Sequence, residues 1–150
     1  MQDWRSELRE PFRDRATEIG LSMQAFWRSQ LPPYMAWMVH ANVLPAIAMR
    51  QVAFSFAGSD QVLAVAAWAC VTGRTREALL RDPYRQLELF EWNDGDEPWI
   101  MALLGQKGQT ALLLRNLVRG PLKFAPVIRG YHRATDGTAR LRVWNRGNGN

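Results

Sequence analysis

The element order hairpin, helix, strand, helix, hairpin predicts an α/β domain built on one mixed, mostly antiparallel sheet flanked by helices. Three observations carry this. Val52, Phe54 and Phe56 alternate with smaller residues and are followed by the apolar run Val62 to Val71. Leucines at 112, 113, 114 and 117 form one helical face. Thr135-Asp136-Gly137 is a hairpin turn between the apolar runs Val127 to Tyr131 and Leu141 to Trp144.

Taken in order, Asp3 to about Ile19 reads as an amphipathic helix, with charges at i, i+4 such as Arg5 and Arg9, and with Trp4, Leu8, Phe12 and Ile19 as its apolar positions. Residues 1–19 are thus expected to be a helical extension to a domain spanning 20–147, with 148–150 as a tail. Pro32-Pro33 suits the first turn of a second helix from Tyr34 to about Asn42, which Pro45 is expected to end. Gly58-Ser59-Asp60 turns the first hairpin. Thr72 or Thr75 opens a short helix that stops before Pro83, and Gln86 to Trp92 fits strand or helix equally. Asn93-Asp94-Gly95-Asp96 is a turn into a strand from Trp99 to Leu104, and Gly105 and Gly108 flank a tight connection into the helix Thr110 to Val118.

At 150 residues, 47% hydrophobic and 22% charged, the chain has single-domain length and globular composition. The net charge of +5 is segregated: residues 1–106 hold 10 basic and 13 acidic groups, whereas residues 107–150 hold 9 basic groups and one acid, Asp136. A +8 block steers acidic partners over long range. Arg115, Arg119, Lys123, Arg129, Arg140 and Arg142 are its candidate partner-binding residues. Seventeen of the 19 basic residues are arginine, so a compositional habit and a solvated face explain part of the excess. Nucleic acid is a poor fit, because no zinc-finger spacing or RNA-binding aromatic signature accompanies the charge.

Cys70 is the single cysteine, and Met1 is followed by charged residues rather than an apolar signal core, which points to a reducing cytoplasm. The run Val62 to Val71 is far short of the roughly 20 residues that span a bilayer, so no membrane span is expected. P-loop, dinucleotide fingerprint, nucleophile elbow and zinc spacing are all missing, and no metal or bound cofactor is expected. Asp94, Asp96 and Glu97 around Gly95 read as turn chemistry before they read as a cation site. Tyr34, Trp37 and Met38, at helical spacing, read as packing, in the core or on the wall of a groove. His40 and His132 are each more readily structural than catalytic, with His40 the candidate base. Gly105-Gln106-Lys107-Gly108-Gln109, between strand and helix, would present free backbone N–H groups to a phosphate or pantetheine-type ligand, making Gly105 and Gly108 candidate binding positions. A plain strand-to-helix connection explains the same glycines.

The order of landmarks carries more. Asn42-Val43-Leu44-Pro45-Ala46-Ile47, then Gln51, Ala67-Trp68-Ala69, Trp92, Gly95-Asp96, Trp99 and Ile128-Arg129, resembles the toxin-activating lysine acyltransferases encoded beside RTX haemolysins. The resemblance runs from about Gly20 to Gly147 and implies a GNAT-like fold, a cytoplasmic location, and transfer of a fatty acyl group from acyl carrier protein to lysines of a protein substrate. Acyl carrier protein is acidic, so the basic block and the resemblance agree on an acidic partner.

The family's catalytic pair does not carry over. Its histidine, in a Leu-His-Arg context, corresponds here to Pro32, and its aspartate, three residues after the tryptophan of Gly-Asp-x-x-Trp, corresponds to Ala102. Neither accepts a proton, and general acid–base catalysis is worth roughly 10²–10⁴-fold. The expectation is therefore an acyltransferase-family chain kept as a binding or accessory module. The alternative is a divergent active lysine acyltransferase whose base is His40 or a water near Gly105 to Gly108.

Overall fold

A computed structural model describes residues 14–58, 61–134 and 136–146. The amphipathic helix expected over Asp3 to Ile19 lies mostly outside the described residues, and the helix seen there, α1 (Arg15–Arg28), continues well past Ile19. Asp14 starts it, with Oδ1 accepting the Thr17 N–H at 2.7 Å. Its buried face of Ser22, Ala25 and Phe26 carries it onward, because that stripe packs on the sheet.

Pro45 does not end the second helix, as expected from sequence, but opens the next one. A 3₁₀ turn (Pro33–Ala36) leads into a π-helical turn (Val39–Val43) and directly into α2 (Leu44–Ala48), where Pro45 sits in the first turn. The Leu44 N–H bonds back to the Val39 carbonyl. Proline cannot donate to a carbonyl four residues back, and the wider turn absorbs that loss without breaking the helix.

The sheet has the order β1-β2-β3-β4-β5. β1 (Val52–Ala57), β2 (Gln61–Val71) and β3 (Glu97–Gly105) pair antiparallel, and β4 (Val127–Arg133) pairs antiparallel with β5 (Ala139–Asn145). Between the two groups, β3 and β4 run parallel and share only the pairs Trp99 with Arg129 and Ile100 with Gly130. The α/β class and the mostly antiparallel sheet are as the sequence predicts. Helix α3 (Gly73–Arg81) is capped by Thr72, and the undecided segment before the Asn93 turn holds a 3₁₀ turn (Leu89–Trp92). Helix α4 (Gln109–Arg119) follows β3.

Two cores lie on opposite faces of the sheet. A bulge at Ala67/Trp68 sets Ala102 and Leu104 on the face of Trp99, toward α1 and the Pro33–Ala48 helical segment, while Ile100 and Leu103 face α4. Trp68 and Leu103 share the α4-side core with Leu113, Leu114, Leu117 and Ile128. Gln51 staples the first core, its Nε2 donating to the carbonyls of Trp68 (2.8 Å) and Trp92 (3.0 Å). A buried amide paid for by two such bonds fixes the Trp92 segment against β2.

Candidate functional site

Beyond Ile100 and Gly130, β3 and β4 diverge, and the space between them is a cleft of about 470 Å³. Gly130 marks the parting point: a Cβ there would lie 2.9 Å from both Cβ and the carbonyl oxygen of Ile100. Only glycine lets the strands touch at that position before separating.

Strand alternation gives the cleft two chemically different sides. On the α4 side stand Lys107, His132 and Arg142, with the first turn of α4. Gly108 caps that helix with φ +88° and no side-chain acceptor. The Gln109 N–H is used by Gln106, whereas Thr110 and Ala111, both lining the cleft, have no backbone acceptor for theirs among the described residues. Free N–H groups and the positive helix end favour an anion. Gly105, at φ +150°, donates its N–H to Ser29 Oγ at 2.6 Å, and a Cβ there would strike the backbone of Leu63 and Ala64. Its lack of a side chain thus serves strand packing as well as the cleft.

On the opposite side stand Leu31, Met38, Leu79, Arg85 and Arg133. Arg85 is neutralised by Glu91, with Nη2 at 2.9 and 2.8 Å from the two carboxylate oxygens. Burial is the largest single influence on Glu91 and raises its pKa, but the Glu88 N–H, Arg85 and Thr75 together leave it below the ordinary carboxylate value. Arg133 lies between the rings of Trp37 and Tyr84, 5.6 and 5.1 Å from their centroids, and its Nη2 donates to the Pro83 carbonyl at 2.9 Å. Trp37 and Tyr84 are surface rings, so Trp37 packs on Arg133 at the protein's edge and not in the core; Tyr34 is likewise exposed, and Met38 alone of that trio is buried.

The candidate residues separate. Gly105, Gly108 and Arg142 line the cleft, as do Ala102 and Leu31, the neighbour of Pro32. His40 is exposed on the π-helical turn and is not among the cleft's lining residues, whereas His132 is. Arg115, Arg119, Lys123 and Arg140 are exposed, and Arg129 is half-buried with Nη1 3.7 Å from Glu97, which also holds Arg76 at 2.8 Å. Burial and the nearby Asp96 push the Cys70 thiol up, which keeps it protonated and a poor nucleophile. Among the described residues no three His, Cys, Asp or Glu side chains converge on a metal-sized site. None of the helices described is long and apolar enough to cross a membrane. Sequence reasoning missed Arg133 and its clamp, because Trp37, Tyr84 and Arg133 come from three distant segments and form no motif. It met Gln51 only as a landmark of the resemblance.

Comparison with known proteins adds one match. A family model described as the RTX toxin acyltransferase family matches residues 23–145, a span that holds all five strands and both sides of the cleft. Among curated proteins no significant match is found.

Proposed function

The chain belongs to the RTX toxin acyltransferase family, and from that premise we propose that it is a toxin-activating lysine acyltransferase by descent, now impaired in transfer and acting in the cytoplasm as a binding or accessory module for acyl carrier protein. The observation that carries this reading is the lining of the cleft. It offers cations and free N–H groups to an anionic arm, and no Asp or Glu lines it among the described residues.

Docking follows from the residues present. The phosphate of a carrier's pantetheine arm finds Lys107, Arg142 and the first turn of α4 on one side. The arm's amides are extended, and β3 beyond Ile100 has an edge no longer paired with β4, so the arm can pair there as an added strand. A sheet parting between two parallel strands suits the GNAT-like fold that the resemblance implies. Arg115, Arg119, Lys123 and Arg140 are exposed to an acidic carrier surface and would speed encounter.

Chemistry is where the reading turns. A lysine amine attacks the donor thioester only after losing a proton, and the acyl transfer needs a group to take it. Ala102, at the family's aspartate position, has only a methyl group, and Leu31-Pro32 presents hydrocarbon where the family has its histidine. The α4-side phosphate site survives that loss. Docking and transfer are thereby uncoupled.

One observation favours a second reading, an active divergent lysine acyltransferase: His132 lines the cleft, and an imidazole there is placed to take the proton. This replaces His40, which stands away from the cleft. The deciding experiment is mass spectrometry of a protein substrate's lysines after incubation with this chain and acyl-loaded carrier protein, beside a binding titration with the carrier. Salt-sensitive binding with no lysine acylation above the uncatalysed level is expected. Acylation abolished by His132→Ala with carrier binding intact would establish the second reading, and failure of the carrier to bind would remove both.

A further inference from the structure

We propose that the cleft's α3 side, at Arg133, is a carboxylate-binding site for an acidic peptide segment and rejects a lysine side chain. The argument begins with a missing counter-ion. The Arg133 guanidinium is partly buried, and among the described residues no carboxylate pairs with it. Arg85, its cationic neighbour in the cleft lining, is matched by Glu91. Charges withdrawn from water are ordinarily paired, and here one arginine follows the rule while the other does not.

Hydrogen bonding sharpens the case at Arg133, although Arg85, for all its ion pair, also keeps Nε buried without a partner. Nη2 of Arg133 is satisfied by Pro83, but Nη1 is sealed from solvent with no partner. Burial lowers the pKa of the group, with Tyr84 and Tyr131 opposing. Stacking on Trp37 and Tyr84 offsets part of this cost through the ring quadrupoles, yet supplies neither a full counter-charge nor an acceptor for Nη1. A carboxylate supplies both. The covering rings are surface groups, Trp37 at 37% and Tyr84 at 52% exposure, so an entering side chain has to displace only a ring at the protein's edge.

The surroundings favour an acidic side chain on a polypeptide over a phosphate diester or a bare inorganic ion. Leu31, Met38 and Leu79 line this side and accept the methylenes of Glu, while the guanidinium fork matches a planar carboxylate. An approaching ammonium meets Arg133 as a like charge, and Asp82, the carboxylate whose charge reaches Tyr131, is already engaged through Oδ1 by the Tyr84 N–H. The groups facing Arg133 are the Tyr84 and Tyr131 hydroxyl-bearing rings, both occupied: the Tyr84 hydroxyl donates to Gly137 at 2.6 Å and that of Tyr131 to Leu79 at 2.8 Å. This site is independent of carrier docking, which uses the α4 side.

The test is a binding titration of the full chain with blocked hexaglutamate and hexalysine peptides, read by calorimetry and by tryptophan fluorescence, since Trp37 covers the site. Hexaglutamate is expected to bind and to perturb the emission, with hexalysine silent. Arg133→Gln should weaken hexaglutamate by about tenfold to a hundredfold, the loss of one hydrogen-bonded charge, well beyond the few-fold, salt-sensitive loss expected of Arg142→Gln on the other side of the cleft. If Arg133→Gln fails to fold, Arg133→Lys keeps the charge without the fork or the stack and is expected to weaken binding by a smaller factor. Hexalysine binding as well as hexaglutamate, weakening by Arg142→Gln instead of at Arg133, or no hexaglutamate binding would each overturn the proposal. A parallel titration with acyl carrier protein at high salt, where the long-range field is screened, keeps the two sites apart: loss of the Arg133 site leaves carrier affinity there unchanged.

Discussion

The sheet's two halves obey different rules. From β1 to β3, side chains are buried on both faces, and Val62, Ala64, Val65, Ala66, Ala67 and Ala69 have essentially no exposure. In β4 and β5, arginines alternate with half-exposed apolar residues, and Leu141 and Val143 remain at the surface. The first half sits between two cores and the second is covered chiefly where Ile128 and Trp144 meet α4. Burial constrains residue choice strongly in one and weakly in the other. The cleft opens at their seam, where β3 supplies a rigid wall and β4 supplies charge.

Matched truncations give the largest contrast. Leu104→Ala, in β3 at 1% exposure, should cost about 2–5 kcal/mol. Leu141→Ala, in β5, should cost only about 1 kcal/mol, since 39% of its surface is already open to water and no closed cavity is left behind. Urea unfolding of the two variants measures both, and equal losses would break the division drawn here.

The seam itself is the next test. Gly130→Ala places a methyl group 2.9 Å from Ile100 Cβ and its carbonyl oxygen, at the last pair joining the halves. Neither atom retreats without moving β3, so a destabilisation of about 1–3 kcal/mol is expected, with cooperative unfolding retained. A neutral result would mean that β4 shifts freely against β3.

Most of the first half was legible in the sequence, and the reason is periodicity. The strands within Val52 to Val71 and Trp99 to Leu104 declare themselves because burial on both faces selects almost entirely apolar residues, Ser55 being the buried polar exception in β1. The π-helical turn was not legible: Pro45 is a stop signal in isolation, and the wider turn together with packing of Val43 and Ile47 in the core carries the helix through it. Of the cleft's lining, Gly105, Gly108 and Arg142 could be singled out in the sequence because a strand-glycine-helix connection and a charge block are local patterns. His132 was seen and set aside, since nothing local tells a cleft-facing histidine from a surface one. The Arg133 clamp was invisible, being a product of three segments that meet only in the fold.

A graded effect on acidification separates the halves by another route. Glu91 is held below the ordinary carboxylate pKa in the folded state, so its ionisation stabilises the fold above the unfolded value of about 4.3. That contribution is lost as pH falls from there through the lower folded value. Glu91 ties the Leu89–Trp92 turn to Arg85 and Thr75 on the first half's side. Thermal melts between pH 6 and pH 2 should therefore show a fall that Glu91→Gln flattens, the variant starting less stable at neutral pH. Parallel slopes for the two proteins would show the carboxylate to be energetically idle.

The smallest expected effect belongs to Arg140→Gln in β5. Arg140 is exposed and lies across the strand pair from His132, with no ion pair among the described residues, so its removal should change stability by no more than about 0.5 kcal/mol. Binding is a different matter, because a charge that contributes nothing to the fold still contributes to the field a partner meets. Carrier affinity should drop a few-fold at low salt and return to the parent's value as salt rises, since the screening length shortens from about 10 Å at 0.1 M to about 3 Å at 1 M. Measuring the melt and the salt-dependent titration on the same preparation separates the two contributions. A stability loss comparable to that of Leu104→Ala would place Arg140 among the structural residues and move the boundary between the halves outward. Unchanged stability with weakened, salt-sensitive binding would show why the second half tolerates its arginines: their cost to the fold is small, and what they contribute is felt outside it.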